Sequence, residues 1–163
     1  MQDNIRIREI TNRQDPAMES VERLFLEMYD FMKQHGLMLD LAPDGSHKWI
    51  EAVKKSLGRF SVIFICTVDD ENIGFAHGSV RLTPDYLGNK KTGVITHIHL
   101  MDKFRGQGAG IALVKSLERW FAEQEVHSVE LQVLSENHPA IGFWKKLGYH
   151  HELVQYRKMR ENL

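Results

Sequence analysis

Apolar side chains occupy alternate positions in Ile5-Arg-Ile-Arg-Glu-Ile10, and that period of two predicts a half-buried strand. Between Asp15-Pro16 and Gly36 the period lengthens. Val21, Leu24, Met28 and Phe31 recur at helical spacing behind a capping residue and a first-turn proline. Ser46 to Gly58 repeats the helical pattern more briefly, with Trp49 or Ile50, Val53 and Leu57 on one side. Three strand patterns follow, Phe60 to Val68, Ile73 to Leu82 and Gly93 to Met101. The first two are joined by a turn at Asp69-Asp70-Glu71-Asn72, and the third follows a loop over Pro84 to Lys91. A long helix is expected from Gly108 to about Gln124, with a buried stripe of Ile111, Leu113/Val114, Leu117 and Trp120/Phe121. Val126 to Leu134 reads as another strand. Asn137-His138-Pro139 opens a short helix ending at Gly148, and Tyr149 to Met159 reads as a last β segment.

Antiparallel strands thus come first, and a strand–helix–strand crossover follows, which demands a locally parallel pair. The expected class is α/β of the mixed α+β kind: a central, mostly antiparallel sheet flanked by helices. No internal repeat, low-complexity tract or flexible linker interrupts the pattern, so residues 1–163 are expected to form one domain.

Composition narrows the function classes. The formal net charge is −1, so no global basic field draws nucleic acid or anionic lipid, and neither partner is expected. Any anion site must be local. Cys66 is the single cysteine, which excludes an internal disulfide, and its place in Val62-Ile63-Phe64-Ile65-Cys66 suits a buried core thiol better than a nucleophile. The start of the chain lacks the apolar stretch of a signal peptide, and no segment has the length of a membrane span. A cytoplasmic protein is expected.

The most specific motif is Arg105-Gly106-Gln107-Gly108-Ala109-Gly110, placed between a strand and the long helix. Three alternate glycines let the backbone turn tightly and approach a ligand without obstruction by Cβ. The first-turn N–H groups of the helix point outward, and its dipole adds about half a positive charge there. Together they suit a pyrophosphate, with Arg105 adding a charge-assisted contact. Ile111 stands where a dinucleotide fingerprint from Gly106 needs glycine, and Val94 replaces the lysine that a P-loop from Gly88 needs. A surface turn whose glycines serve folding alone is the competing explanation.

On these residues the chain resembles the GNAT superfamily of N-acetyltransferases. The family signature Arg/Gln-x-x-Gly-x-Gly/Ala is matched by Arg105, Gly108 and Gly110. A looser element, Asn-x-x-Ala-x-x-Phe-Tyr-x-x-x-Gly-Phe, is matched by Asn137, Ala140, Phe143, Trp144, Gly148 and Tyr149. The resemblance implies the GNAT fold and an acyltransferase using acetyl-CoA as cosubstrate, with no metal. It implies that Ile98, His99 and Leu100 offer backbone groups to the pantetheine arm and that Arg105, Gly106, Gln107, Gly108, Ala109 and Gly110 hold the pyrophosphate. Asn137 would reach the pantetheine, cap its helix, or do both. The family's frequent tyrosine acid falls at Trp144, whose indole donates a hydrogen bond but is no useful acid. Trp144 then packs against the pantetheine or the core, and Tyr149, Tyr156 or solvent protonates the thiolate. Homodimers are expected by the same analogy.

Acyl transfer to an amine needs the neutral nucleophile. A primary ammonium is deprotonated in about one molecule in 2,500 at pH 7, equivalent to roughly 4.6 kcal/mol. In Val94-Ile-Thr-His-Ile-His-Leu100 the positions Val94, Ile98 and Leu100 suit a core, while His97 and His99 share the opposite face. A histidine titrating near neutrality suits proton relay, so His97 is the expected base and His99 the second candidate. Strand histidines satisfied by hydrogen bonds explain the pair as well, and a His-x-His metal site lacks a third ligand. Glu27, Asp30, Asp40 and Asp44 would attract a cationic amine, yet helical spacing puts Glu27 and Asp30 on the polar side. His77, Ser79 and Arg81 share one strand face, which fits a cleft lining or plain surface polarity. The expected activity is transfer of an acetyl group to a small-molecule or peptide amine. The alternative is a CoA-binding sensor that kept the pocket without turnover.

Overall fold

A computed structural model describes residues 4–163, so Met1 to Asp3, part of the chain start read above, lie outside it. The described residues fall into two compact units, one reaching Gln132 and one spanning Val133–Leu163.

The first unit holds β1 (Arg6–Ile10), α1 (Ala17–Gln34), α2 (Gly45–Ser56), β2 (Ser61–Val68), β3 (Glu71–Leu82), β4 (Lys91–Leu100), α3 (Ala109–Glu123) and β5 (Ser128–Leu131). Its five-stranded sheet runs in the order β1-β2-β3-β4-β5. All neighbours are antiparallel except β4 and β5, which α3 joins as a parallel pair. The mixed, mostly antiparallel class expected from the chain is therefore what forms.

Local chemistry accounts for the boundaries. Asp15 accepts a hydrogen bond from the Ala17 amide at 2.9 Å and starts α1. The β2–β3 hairpin turns through Asp69 and Asp70, with φ of 46° and 66°. Two successive positive values define the tight turn whose twist matches that of the strands, and a short carboxylate side chain tolerates it.

One face of the sheet carries Ile10, Ile63, Ile65 and Phe75, which close a core with Val21, Leu24, Phe25 and Met28 of α1 and Ile50 and Val53 of α2. The other face receives α3. Its buried row is Ala109, Leu113, Val114, Leu117 and Phe121, and an added Cβ on Gly78 or Gly93 would meet the Phe121 ring at 2.9 or 2.6 Å. The bare strand surface at these glycines admits the ring. Ile111 does not join that row and is 41% exposed, because two residues past Ala109 is the far side of a helix.

The second unit contains one α-helix, α4 (His138–Lys146). The β segment expected over Tyr149 to Met159 does not form: the residues have no regular secondary structure and no ladder partner, and Leu153 and Tyr156 are 84% and 91% exposed. Adjacent apolar residues at Leu153 and Val154 break the clean alternation that would give a strand one buried face. The Val126–Leu134 strand likewise shrinks to Ser128–Leu131. No helix among the described residues is long and apolar enough to cross a membrane.

Phe121→Ala, which empties the α3–sheet contact, is expected to lower unfolding free energy by about 3 to 5 kcal/mol in urea titrations. A loss under about 1 kcal/mol would mean that α3 does not pack as described.

Candidate active site

The glycine turn follows a short 3₁₀ segment at Asp102–Phe104 and leads directly into α3. Gly106 and Gly108 have φ of 77° and 92°, values that L side chains rarely adopt, and no atom lies within 4 Å of where a Cβ would stand on either. Gly108 is the N-cap, with no side chain bonded to the cap. The amides of Ala109, Gly110 and Ile111 therefore open the helix without intrahelical acceptors, at its positive end. Open space free of Cβ atoms beside these amides suits an anion such as a diphosphate.

Two side chains of the motif are anchored to the turn itself. Gln107 donates to the Lys103 carbonyl at 3.2 Å. Arg105 donates from Nε to the Leu100 carbonyl at 3.1 Å, pairs with Asp102 at 3.0 Å, and lies 4.5 Å over the Phe31 ring. A guanidinium has five donor hydrogens, so this anchoring still leaves donors for an incoming anion.

Strand β4 is irregular where the chemistry is expected. His97 pairs with His77 and Ile95 with Gly78, so Thr96 is an extra residue opposite the His77–Gly78 step. Such a bulge reverses the alternation of faces. His97 and His99 do share a face, but Val94 does not share one with Ile98 and Leu100 as expected. Before the bulge Gly93 and Ile95 face α3. After it, His97 and His99 face α1 and α2, His97 meeting Phe25 and Trp49 edgewise at 5.4 and 5.2 Å. The bulge also ends the pairing with β5, which covers only Thr92 to Ile95. Among the described residues no strand claims that edge of β4 from Thr96 to Leu100. Backbone groups alternate between strand edges, and the Met101 amide bonds the Ile73 carbonyl of β3, so those of Ile98 and Leu100 face the open edge, while those of His99, against expectation, turn to Phe75 of β3. The Leu100 carbonyl is held by Arg105.

His77 and His97 do not titrate near neutrality. Burial holds His97 down at about 4, and burial followed by the charge of His97 holds His77 at about 3. His99 is lowered by burial and raised in part by Glu27, whose Oε1 stands 3.2 Å from Nε2. Both proposed bases are thus neutral imidazoles at pH 7. Glu27 was placed on the solvated side of α1 by helical spacing, yet it reaches His99. It lies three residues after buried Leu24 and directly before buried Met28, at the margin of the stripe, and that margin was the available signal.

The other carboxylates point elsewhere: Asp40 pairs with Lys33 at 2.6 Å, and Asp30 is exposed. Arg81 is ion-paired with Glu130 on β5. Among the described residues no group of three His, Cys, Asp or Glu is placed to hold a metal ion. In the second unit Asn137 caps α4, its Oδ1 accepting from the Ala140 amide at 3.3 Å. Trp144 is 7% exposed and meets Phe143 and Tyr149 edgewise, both at 5.1 Å.

A family model described as the acetyltransferase (GNAT) family matches residues 18–149. The chain belongs to the GNAT acetyltransferase family. An uncharacterised N-acetyltransferase of Methanocaldococcus jannaschii is 31% identical over 94 residues, covering 56% of this chain and 40% of that protein. A putative ribosomal protein bS18-alanine N-acetyltransferase of Bacillus subtilis is 37% identical over 54 residues, 33% of this chain and 36% of that one. The matched segments thus span well under half of these curated relatives. Among solved structures, an aminoglycoside N-acetyltransferase in complex with CoA superposes with a TM-score of 0.77 at 18% identity, covering 98% of this chain and 97% of that one. That likeness is one of fold.

The depressed histidines give this GNAT chain an acid-sensitive core. An unfolded histidine binds its proton near pH 6.5, while buried His77 refuses it down to about 3. The unfolded state binds more protons throughout that window, so stability is fully present above about pH 6.5 and falls as pH drops. At pH 4.5 His77 accounts for about 2 to 3 kcal/mol of the loss. Urea midpoints at pH 7 and 4.5 are expected to differ less for His77→Phe than for the wild type. Parallel curves would show that His77 titrates normally inside the fold.

Proposed function

We propose that residues 1–163 act as one acetyl-CoA-dependent N-acetyltransferase domain, moving an acetyl group to a primary amine of a small molecule or peptide by direct attack. The observation that carries this reading is the open left-handed turn at Gly106 and Gly108, aimed by the start of α3. Membership of the GNAT family and a fold shared with a CoA-bound aminoglycoside N-acetyltransferase support it. A cytoplasmic setting belongs to the same proposal.

In this reading Arg105 and the amides of Gly106, Gln107, Gly108, Ala109 and Gly110 hold the diphosphate. The unpaired edge of β4 at Ile98 and Leu100 holds the pantetheine and offers a donor to the developing oxyanion. Asn137 and Trp144 are assigned to the pantetheine by the family resemblance. Acetyl-CoA supplies a thioester whose thiolate leaves readily.

The amine must still lose its proton, and His97 held near 4 does not strip it from a free ammonium. The amine enters as its small neutral fraction, and the nitrogen becomes strongly acidic only as the new C–N bond forms. A neutral imidazole is competent at that moment. His97 takes the proton then, and His99, backed by Glu27, is the second candidate. Tyr149 or solvent returns a proton to the thiolate.

Purified protein mixed with acetyl-CoA and a panel of amines should release free thiol in an amine-dependent manner, and silence across the panel would sink the proposal. Gly108→Val, which adds a side chain at a positive φ, should raise the KM for acetyl-CoA at least tenfold. His97→Ala should lower kcat about 100-fold with that KM nearly unchanged.

The pH profile is a separate check. His97 stays deprotonated above about pH 5, so kcat/KM for the amine should climb about tenfold per pH unit from 6 to 9 with no break near 6.5. An inflection at 6.5 would mean a histidine of ordinary acidity carries the proton.

A further inference from the structure

Thr96 touches two imidazoles at once. Its Oγ1 donates to the His77 carbonyl at 3.0 Å, and the same oxygen is hydrogen-bonded to Nδ1 of His77 and, at 3.1 Å, to Nδ1 of His97. A hydroxyl has one hydrogen, and a carbonyl can only accept. With that hydrogen on the His77 carbonyl all three contacts can be hydrogen bonds, and both Nδ1 atoms then bring their own. Each ring is then the Nδ1–H tautomer, and each Nε2 is a bare lone pair.

Independent features agree. The His77 and His97 rings lie 6.1 Å apart and nearly parallel, so both can address one oxygen between them. His77 is 6% exposed, and its Nε2 is a buried nitrogen with no hydrogen-bond partner among the described residues. Leaving a buried polar atom unmatched is costly, and its place beside the candidate base suggests use rather than accident. The bulge explains how Thr96 comes to be there, since it is the extra residue of β4 opposite the His77–Gly78 step.

We infer that Thr96 is a positioning residue: anchored to the His77 carbonyl, its hydroxyl locks His97 in the Nδ1–H tautomer and so makes Nε2 the nitrogen that receives the proton from the attacking amine. The inference rests on the assignment of His97 as base. It deepens that assignment by naming which nitrogen acts and what holds it ready. The proton leaves the amine nitrogen as the C–N bond forms and arrives on Nε2, giving an imidazolium whose Nδ1–H still points at Thr96. Solvent then discharges it.

The test is a long-range proton–nitrogen spectrum of the ¹⁵N-histidine-labelled chain, with His97 assigned by its loss in His97→Gln. Wild type should show His97 with a protonated Nδ1 and an unprotonated Nε2 at pH 7. Thr96→Val, which keeps the shape and removes the oxygen, should mix the two tautomers and lower kcat at least tenfold with KM for acetyl-CoA unchanged. Thr96→Ser should restore both tautomer and rate, and equal melting temperatures would exclude a folding defect.

A wild-type His97 carrying its proton on Nε2 would overturn the inference. So would a Thr96→Val enzyme with altered tautomers and undiminished kcat, or with unaltered tautomers. Failure of the base assignment has a different signature, a wild-type rate in His97→Ala, and the nitrogen spectrum still decides the tautomer in that case.

Discussion

The surplus residue at Thr96 is the constraint on which the candidate site depends. With unbroken alternation His97 and His99 would share the face of Gly93 and Ile95 beneath α3. One extra residue turns both imidazoles toward α1 and α2, among Phe25, Trp49 and Glu27. It also ends the ladder with β5, so that one edge of β4 keeps its backbone groups unclaimed by a strand just ahead of the glycine turn. The bulge thus opens a strand edge and re-aims two side chains at one stroke.

Electrostatics in the first unit divides along the same strand. The net charge is −1, so an anion site cannot draw on a surrounding field, and the turn instead supplies left-handed glycines, unsatisfied helix amides and one tethered guanidinium. On the other side of the bulge, burial strips the imidazoles of their affinity for protons. A group that stays neutral across the physiological range is a poor acid-base reservoir and a good acceptor for a proton released only as a bond forms.

Much of this was legible in the chain. The strand–helix periods gave the strands and α-helices of the first unit to within a few residues, because each carries a stripe, an alternation or a continuous apolar run that packs on one or both faces of the sheet. The turn was legible because alternating glycines at a strand–helix junction have few other uses. What escaped was non-local. The bulge has no marker in Val94-Ile-Thr-His-Ile-His-Leu100, since an extra residue is defined only by its partner strand. The acidity of His97 depends on rings contributed by α1 and α2, more than forty residues earlier. Helical spacing put Glu27 on the polar side, when its place at the margin of a buried stripe decided where it went. Tyr149 to Met159 carries β-compatible residues, yet a strand is a relation between two segments, and composition alone does not supply the second.

Gly93 has a reach well beyond its own strand. A methyl group there would collide with Phe121 at 2.6 Å, and Phe121 sits near the far end of the helix whose first residue is Ala109. From Gly108 to Phe121 the axis rises about 20 Å. A helix is stiff over that length, so lifting one end tips the other. The smallest side chain in the protein, set in the sheet, thereby acts as the seat of a lever whose opposite tip presents the unpaired first-turn amides. Drift in the glycine turn can therefore originate at a residue that never touches it.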